Sequence, residues 1–194
     1  MDGRVVDAET GAPIPGALVI AEWSGDIGGP VQSSEVCFHM EVATTDAEGR
    51  YHIPGWSRRP VADWEGGFFG VRNVEVSRRT YKAGYTHFKY EPDNSANILM
   101  SRANGADIER IGYLLHSGSQ SCGREDGSLL NELVLWTAIC DEVKRMPAAR
   151  EPNSVISKSS ALMKIDGHIA SVLSGSALQQ YDPQKVTPAT CSRG

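Results

Sequence analysis

The residue types read first for acid–base or metal chemistry in this chain are its five histidines and four cysteines. A histidine becomes a general acid or base when a neighbouring group shifts or orients its ring, and no spacing of His with Asp and Ser or Cys sets up such a relay. His39 and His52 fall on segments predicted to form one hairpin, so they could approach each other or Glu41. A two-histidine metal site is one reading of that pair; strand histidines hydrogen-bonded to their neighbours is the other. Cys37, Cys122, Cys140 and Cys191 contain no Cys-x-x-Cys pair and no histidine at zinc-ligand spacing. An even number of widely separated cysteines fits two disulfides. Of the three pairings, Cys122 with Cys140 is favoured, because they are close in sequence and flank a predicted helix start; it would contribute about 3 kcal/mol by restricting the unfolded chain. Four reduced, packed thiols are the alternative. No catalytic residue, metal ligand or cofactor is assigned.

Recognition chemistry concentrates between Pro54 and Gly70, where Trp56, Trp64, Phe68 and Phe69 are interleaved with Arg58, Arg59 and Asp63. Loops on a rigid scaffold often carry binding, and tryptophan with arginine is over-represented where binding energy concentrates. The same aromatics could instead fold back over an open end of the scaffold or pack on the C-terminal helices.

The totals restrict the partners. The net charge of -5 argues against nucleic acid, whose phosphates are normally met by a basic face, and the arginine pairs Arg58-Arg59 and Arg78-Arg79 are short. No window approaches the roughly 18 consecutive apolar residues of a membrane helix. The start Met1-Asp2-Gly3 carries no basic-then-apolar leader, so an exported form implies a leader removed ahead of it. With 194 residues the chain is long enough to bury a real core.

The elements that must position these residues are legible in order. Val5-Val6 and Leu18–Glu22 read as strands joined by a turn in which Thr10-Gly11 and Pro15-Gly16 supply special backbone angles. Ser24–Ser34 reads as a loop and Cys37–Thr45 as a long strand, with a turn at Asp46–Gly49 leading into Tyr51-His-Ile53 as a hairpin. Strand character resumes at Val71–Tyr81 and Thr86–Tyr90, and Asn97–Arg102 alternates as a closing edge strand. That makes about seven strands. Helical spacing then takes over at Ile108, Ile111 and Leu115, with Asn104 as cap and Gly118 as stop. Leu129, Leu133, Trp136, Cys140 and Val143 share one face of a stronger helix capped by Ser128 and ended by Pro147, its last turn basic at Lys144 and Arg145. Leu162, Ile165, Ile169 and Val172 suggest a weaker helix. The polar last twenty residues read as loosely ordered unless Cys191 ties them down.

The segment Gly3-Arg-Val-Val-Asp-Ala-Glu-Thr-Gly-Ala-Pro-Ile-Pro-Gly-Ala-Leu-Val19, followed by Thr45-Asp-Ala-Glu-Gly-Arg-Tyr-His-Ile53 and Ala83-Gly-Tyr85, resembles the carboxypeptidase regulatory-like domain family. The resemblance covers residues 1 to about 102. It implies a transthyretin-like, seven-stranded Greek-key-type β-sandwich, so the chain reads as mainly β, with a helical extension over residues 103–194. It also implies a rigid spacer or binding module in a bacterial cell envelope, periplasmic or secreted, with a protein partner or small ligand.

Enzymes on related sandwiches are tested by the residues they need. Zinc carboxypeptidases use His-x-x-Glu, and none of His39, His52, His87, His116 or His168 has Glu three residues on. Intradiol dioxygenases, whose common segment Gly3–Asp7, Trp23 and Thr45–Tyr51 are similar to, bind iron with two tyrosines and a His-x-His pair, but Thr86-His87-Phe88 offers one histidine. Hydroxyisourate hydrolases need a histidine near the first strand, and the first histidine here is His39. B-type adhesin repeats need a first-strand lysine, and the first lysine is Lys82. The expectation is a non-catalytic binding or accessory protein without a cofactor; a divergent metal-dependent enzyme on the same scaffold, intradiol-dioxygenase-like or hydroxyisourate-hydrolase-like, is the competing one.

Overall fold

The computed structural model describes residues 1–28, 33–56, 71–86, 97–103, 111–112, 115, 122, 128–146, 157–174 and 191. Among these residues are six strands, β1 (Asp2–Asp7), β2 (Leu18–Gly28), β3 (Ser33–Thr44), β4 (Arg50–His52), β5 (Val71–Tyr81) and β6 (Asn97–Met100), where the sequence suggested about seven. Two long helices follow, α1 (Ser128–Arg145) and α2 (Lys158–Ser174). The architecture is mixed α/β, with its strands before residue 103 and these helices after it.

The strands form two three-stranded sheets. One has the order β4-β1-β6, with β1 antiparallel to β4 and parallel to β6; the other has the order β3-β2-β5 and is antiparallel throughout. Alternate side chains of a strand point to opposite faces, and β2 uses both. Val19, Ala21 and Trp23 join Val5, Tyr51, Ile98 and Met100 of the other sheet in one apolar core. Leu18 and Ile20 face the opposite way, into a second core with Leu129, Trp136 and Val143 of α1 and Ile165 and Ile169 of α2. A strand covered on both sides has to be apolar at every position, which is why Leu18-Val-Ile-Ala21 does not alternate. The change of secondary structure near residue 102 therefore does not divide the second core, which draws on both halves of the chain.

The predicted hairpin between the Cys37–Thr45 and Tyr51–Ile53 strands is corrected. β3 pairs with β2 and β4 pairs with β1, so the chain changes sheets at Thr45–Gly49. Thr45 pins the crossing: its Oγ1 accepts from Ala17 N at 2.8 Å and donates to Ile14 O at 2.6 Å. Gly49 holds φ at 74° while its carbonyl accepts from Val5 N at 2.8 Å. A Cβ there would lie 2.5 Å from Val5 O, so both the backbone conformation and the close approach require glycine.

A bulge in β3 shapes the second sheet. Trp23 lies opposite His39 but Ser24 lies opposite Cys37, leaving Phe38 as the extra residue. The face of every residue before it is thereby reversed. Cys37 and Met40 both enter the helix-side core, although they are an odd number of residues apart.

The helical face expected of α1 is observed, with Leu129, Leu133, Trp136, Cys140 and Val143 all buried. Ile165, Ile169 and Val172 of α2 are buried as well. The two helices meet where Trp136 stacks on His168, ring centroids 4.2 Å apart and planes 2° from parallel. Lys158 donates to the carbonyls of Lys144 and Met146, closing the C-terminal end of α1.

The favoured pairing of Cys122 with Cys140 is overturned. Cys37 is joined to Cys122 and Cys140 to Cys191, across 85 and 51 residues of sequence. Proximity along the chain misled because Cys140 lies on the buried stripe of α1, where Cys191 reaches it, while the bulge turns Cys37 toward Cys122. Each bridge closes a long loop, contributing about 4 to 5 kcal/mol on the chain-entropy argument. Cys191 is also held by its amide, which donates to Asp166 Oδ1 on α2.

Candidate functional site

β3 is an edge strand, and its outward-pointing backbone groups at Met40 meet the first turn of α1. Ser128 Oγ accepts from Met40 N at 3.0 Å, and Asn131 Nδ2 donates to Met40 O at 2.8 Å. Exposed strand edges invite pairing with other chains; here two helix side chains fill the places of a neighbouring strand.

That docking assembles a group of residues no local spacing betrays. Ser128 Oγ lies 3.2 Å from His39 Nδ1, and His39 Nε2 lies 2.9 Å from Glu41 Oε1. Glu41 Oε2 accepts from Asn131 Nδ2 at 3.2 Å. Met40 N–H donates to Ser128 Oγ, and with His39 Nε2 turned to the Glu41 carboxylate the other ring nitrogen, Nδ1, faces the Ser128 hydroxyl. Hydroxyl, imidazole and carboxylate thus form a relay of the kind that activates a serine nucleophile.

The burial of this relay runs opposite to the one acyl transfer needs. Ser128 is 0% exposed and the His39 side chain 3%, whereas the Glu41 side chain is 27% exposed. The nucleophile is enclosed and the orienting carboxylate faces water. In this arrangement the relay fastens helix to sheet, with Ser128 buried at the junction.

An aromatic group adjoins it. His39 stacks on Trp56 with centroids 4.8 Å apart and planes 8° from parallel, while Trp23 tilts against both rings at 5.2 and 5.9 Å. Trp56, the first residue of the expected recognition surface, is half-buried against the inter-sheet core. Arg58, Arg59, Trp64, Phe68 and Phe69 lie outside the described residues, as do His87, His116, the Thr86–Tyr90 strand beyond Thr86, the Asn104 cap, the Gly118 stop and most of the tail.

His39 and His52 are not brought together. They lie in different sheets, and His52 Nδ1 sits 2.6 Å from Asp2 Oδ1, the contact that lowers the Asp2 pKa. Among the described residues no group of three or more His, Cys, Asp or Glu is placed to hold a metal ion. The pair Arg78-Arg79 is not a basic surface patch: Arg78 Nη1 donates to Tyr51 OH at 2.9 Å in the inter-sheet core, and Arg79 pairs with Glu22. Burial lowers the Arg79 pKa to about 10.

Two other carboxylates are held apart from water. Asp7, 2% exposed, accepts from the amides of Glu9 and Thr10 at 3.0 Å and from Arg102 Nε at 3.2 Å. The Thr10 amide first, then Arg102 and the Glu9 amide, bring its pKa down to about 2 against the opposing effect of burial. Glu132, 5% exposed on α1, accepts from Cys122 N at 2.8 Å. Burial pushes its pKa up to about 7, with the amide opposing.

None of the described helices is long and apolar enough to cross a membrane. No family model, curated protein or solved structure matches the chain.

Proposed function

We propose that this chain is an exported, non-catalytic binding or accessory protein of the bacterial cell envelope, periplasmic or secreted. In this reading the two sheets form a Greek-key β-sandwich of the carboxypeptidase regulatory-like type, and the segment from Trp56 to Phe69 holds a protein partner or small ligand. The enclosed hydroxyl of the Ser128–His39–Glu41 relay carries the reading: the hydroxyl, imidazole and carboxylate that meet here are engaged in holding β3 to α1, with Ser128 0% exposed. Two disulfides support the compartment, since such bonds persist in oxidising surroundings. Half-buried Trp56 supports the binding role, because it anchors the start of the aromatic segment on a rigid sheet.

The test is capture from envelope extract with the wild-type chain and with the Trp64→Ala, Phe68→Ala double variant. The proposal expects a partner or ligand retained by the wild type and lost by the variant at unchanged melting temperature. Recovery of nothing above background, or a collapse in melting temperature of the variant, counts against it. Stoichiometric iron or zinc retained after dialysis would favour a metal-dependent enzyme instead.

A further inference from the structure

We propose that Glu132 is the proton-operated pin of a clamp that fastens α1 to β3. The clamp is a closed ring of contacts. Cys37 on β3 is bonded to Cys122, the Cys122 amide donates to Glu132 Oε1 at 2.8 Å, and Glu132 belongs to α1. The ring closes one turn earlier on the helix, where Ser128 and Asn131 hold the backbone of Met40 on β3. The disulfide is permanent under oxidising conditions, and the Ser128 and Asn131 contacts to the Met40 backbone carry no charge. The carboxyl is the member that changes charge inside an enclosed space.

No counter-charge faces it from the described residues of the elements packed there. Its neighbours one turn away on α1 are Ser128, Leu129, Leu135 and Trp136, and the nearest acidic groups on the helix, Asp141 and Glu142, lie more than two turns on. Glu142 itself accepts from Tyr81 OH at 2.7 Å and Gly84 N at 3.1 Å. On β3, His39 is engaged with Ser128 and Glu41, and Glu41 with Asn131. On α2, Lys158 is held by the end of α1, Asp166 by Cys191, and His168 by Trp136.

An enclosed carboxyl that no counter-charge among the described residues faces favours the proton-bearing form. The neutral acid still accepts the Cys122 amide through its carbonyl oxygen, so the clamp is closed in acid. Ionisation is accommodated by letting water reach Glu132, which means parting Cys122 from Glu132. The folded pKa lies above the unfolded one, about 7 against 4.5. The clamp's contribution is therefore complete below about pH 4.5 and is lost as pH rises through about 7. The inference concerns the helix–sheet junction and stands whether or not the binding reading holds.

Hydrogen exchange of the Cys122 amide tests it, corrected for the intrinsic pH dependence of exchange, on the oxidised chain and on Glu132→Gln. The protection factor of the wild type should fall about tenfold per pH unit between about pH 5 and 7 and then level off. In Glu132→Gln, which keeps the acceptor and removes the charge, it should stay at its acid value, while His52→Gln, exposed in the other sheet, should retain the wild-type slope. A slope unchanged in Glu132→Gln, or abolished by His52→Gln alone, overturns the proposal. Should Glu132→Gln fail to fold, the carboxyl carbon of Glu132 in the wild type decides. A titration midpoint near 7 that moves with the Cys122 amide signal supports the clamp, and one in the ordinary carboxylate range refutes it.

Discussion

Ser128 Oγ, in the first turn of α1, accepts the backbone N–H of Met40 from a position 88 residues away in sequence, at 3.0 Å. With Asn131 on the matching carbonyl, it covers the edge of β3 and fixes where the helical half of the chain meets the strands. The same oxygen orients His39, so edge protection and the relay are one structure.

Replacing Ser128 with Ala would strand the Met40 N–H and His39 Nδ1 in a buried place. Leaving a buried polar group without its partner costs about 1 to 3 kcal/mol, and urea unfolding should report a loss of that size. A Ser128→Ala protein as stable as the wild type would mean that the helix does not dock through this contact.

Gly49→Ala should destabilise by about 1 to 3 kcal/mol from the left-handed backbone alone, and by more if Val5 has to move, because the added Cβ meets Val5 O. The control is Gly167→Ala on α2, where a Cβ meets nothing within 4 Å. That substitution should be stabilising by roughly 0.5 to 1 kcal/mol through helix propensity. Equal effects at the two sites would contradict the sheet-crossing geometry.

Asp7 ties the first turn to Arg102 as an anion. Its folded pKa, about 2, lies below the ordinary value of 3.8, so its stabilising effect is present above about pH 4 and is lost as pH falls through about 2. Asp7→Asn should weaken the protein at neutral pH and flatten this acid loss. Unfolding curves from pH 2 to 6 on both proteins check it. The effect lies on the acid side of the Glu132 window, where stability instead declines as pH rises from about 4.5 to 7, so the two are separable in one titration.

What the sequence revealed is what local pattern controls. β2 is legible as a strand in the β-branched run Leu18–Glu22, and α1 in the 129, 133, 136, 140, 143 spacing that buries one stripe. The turn residues Gly11, Gly16 and Gly49 all adopt positive φ. Sheet membership was not legible, because β3 and β4 are joined by a short turn of hairpin length and the crossing shows only in the pairing of β3 with β2 and β4 with β1. The disulfide pairing depends on the bulge at Phe38, a single-residue irregularity that no alternation pattern displays. The relay is invisible in the sequence because Ser128 and His39 are 89 residues apart, and locally Ser128 reads only as a helix cap.

Non-reducing proteolysis and mass spectrometry of the native chain test most directly the claim that the helical half is fastened covalently to the strands and to the tail. The account predicts linked peptides containing Cys37 with Cys122 and Cys140 with Cys191, and no alkylated thiol before reduction. Four free thiols, or a Cys122–Cys140 bridge, would contradict it.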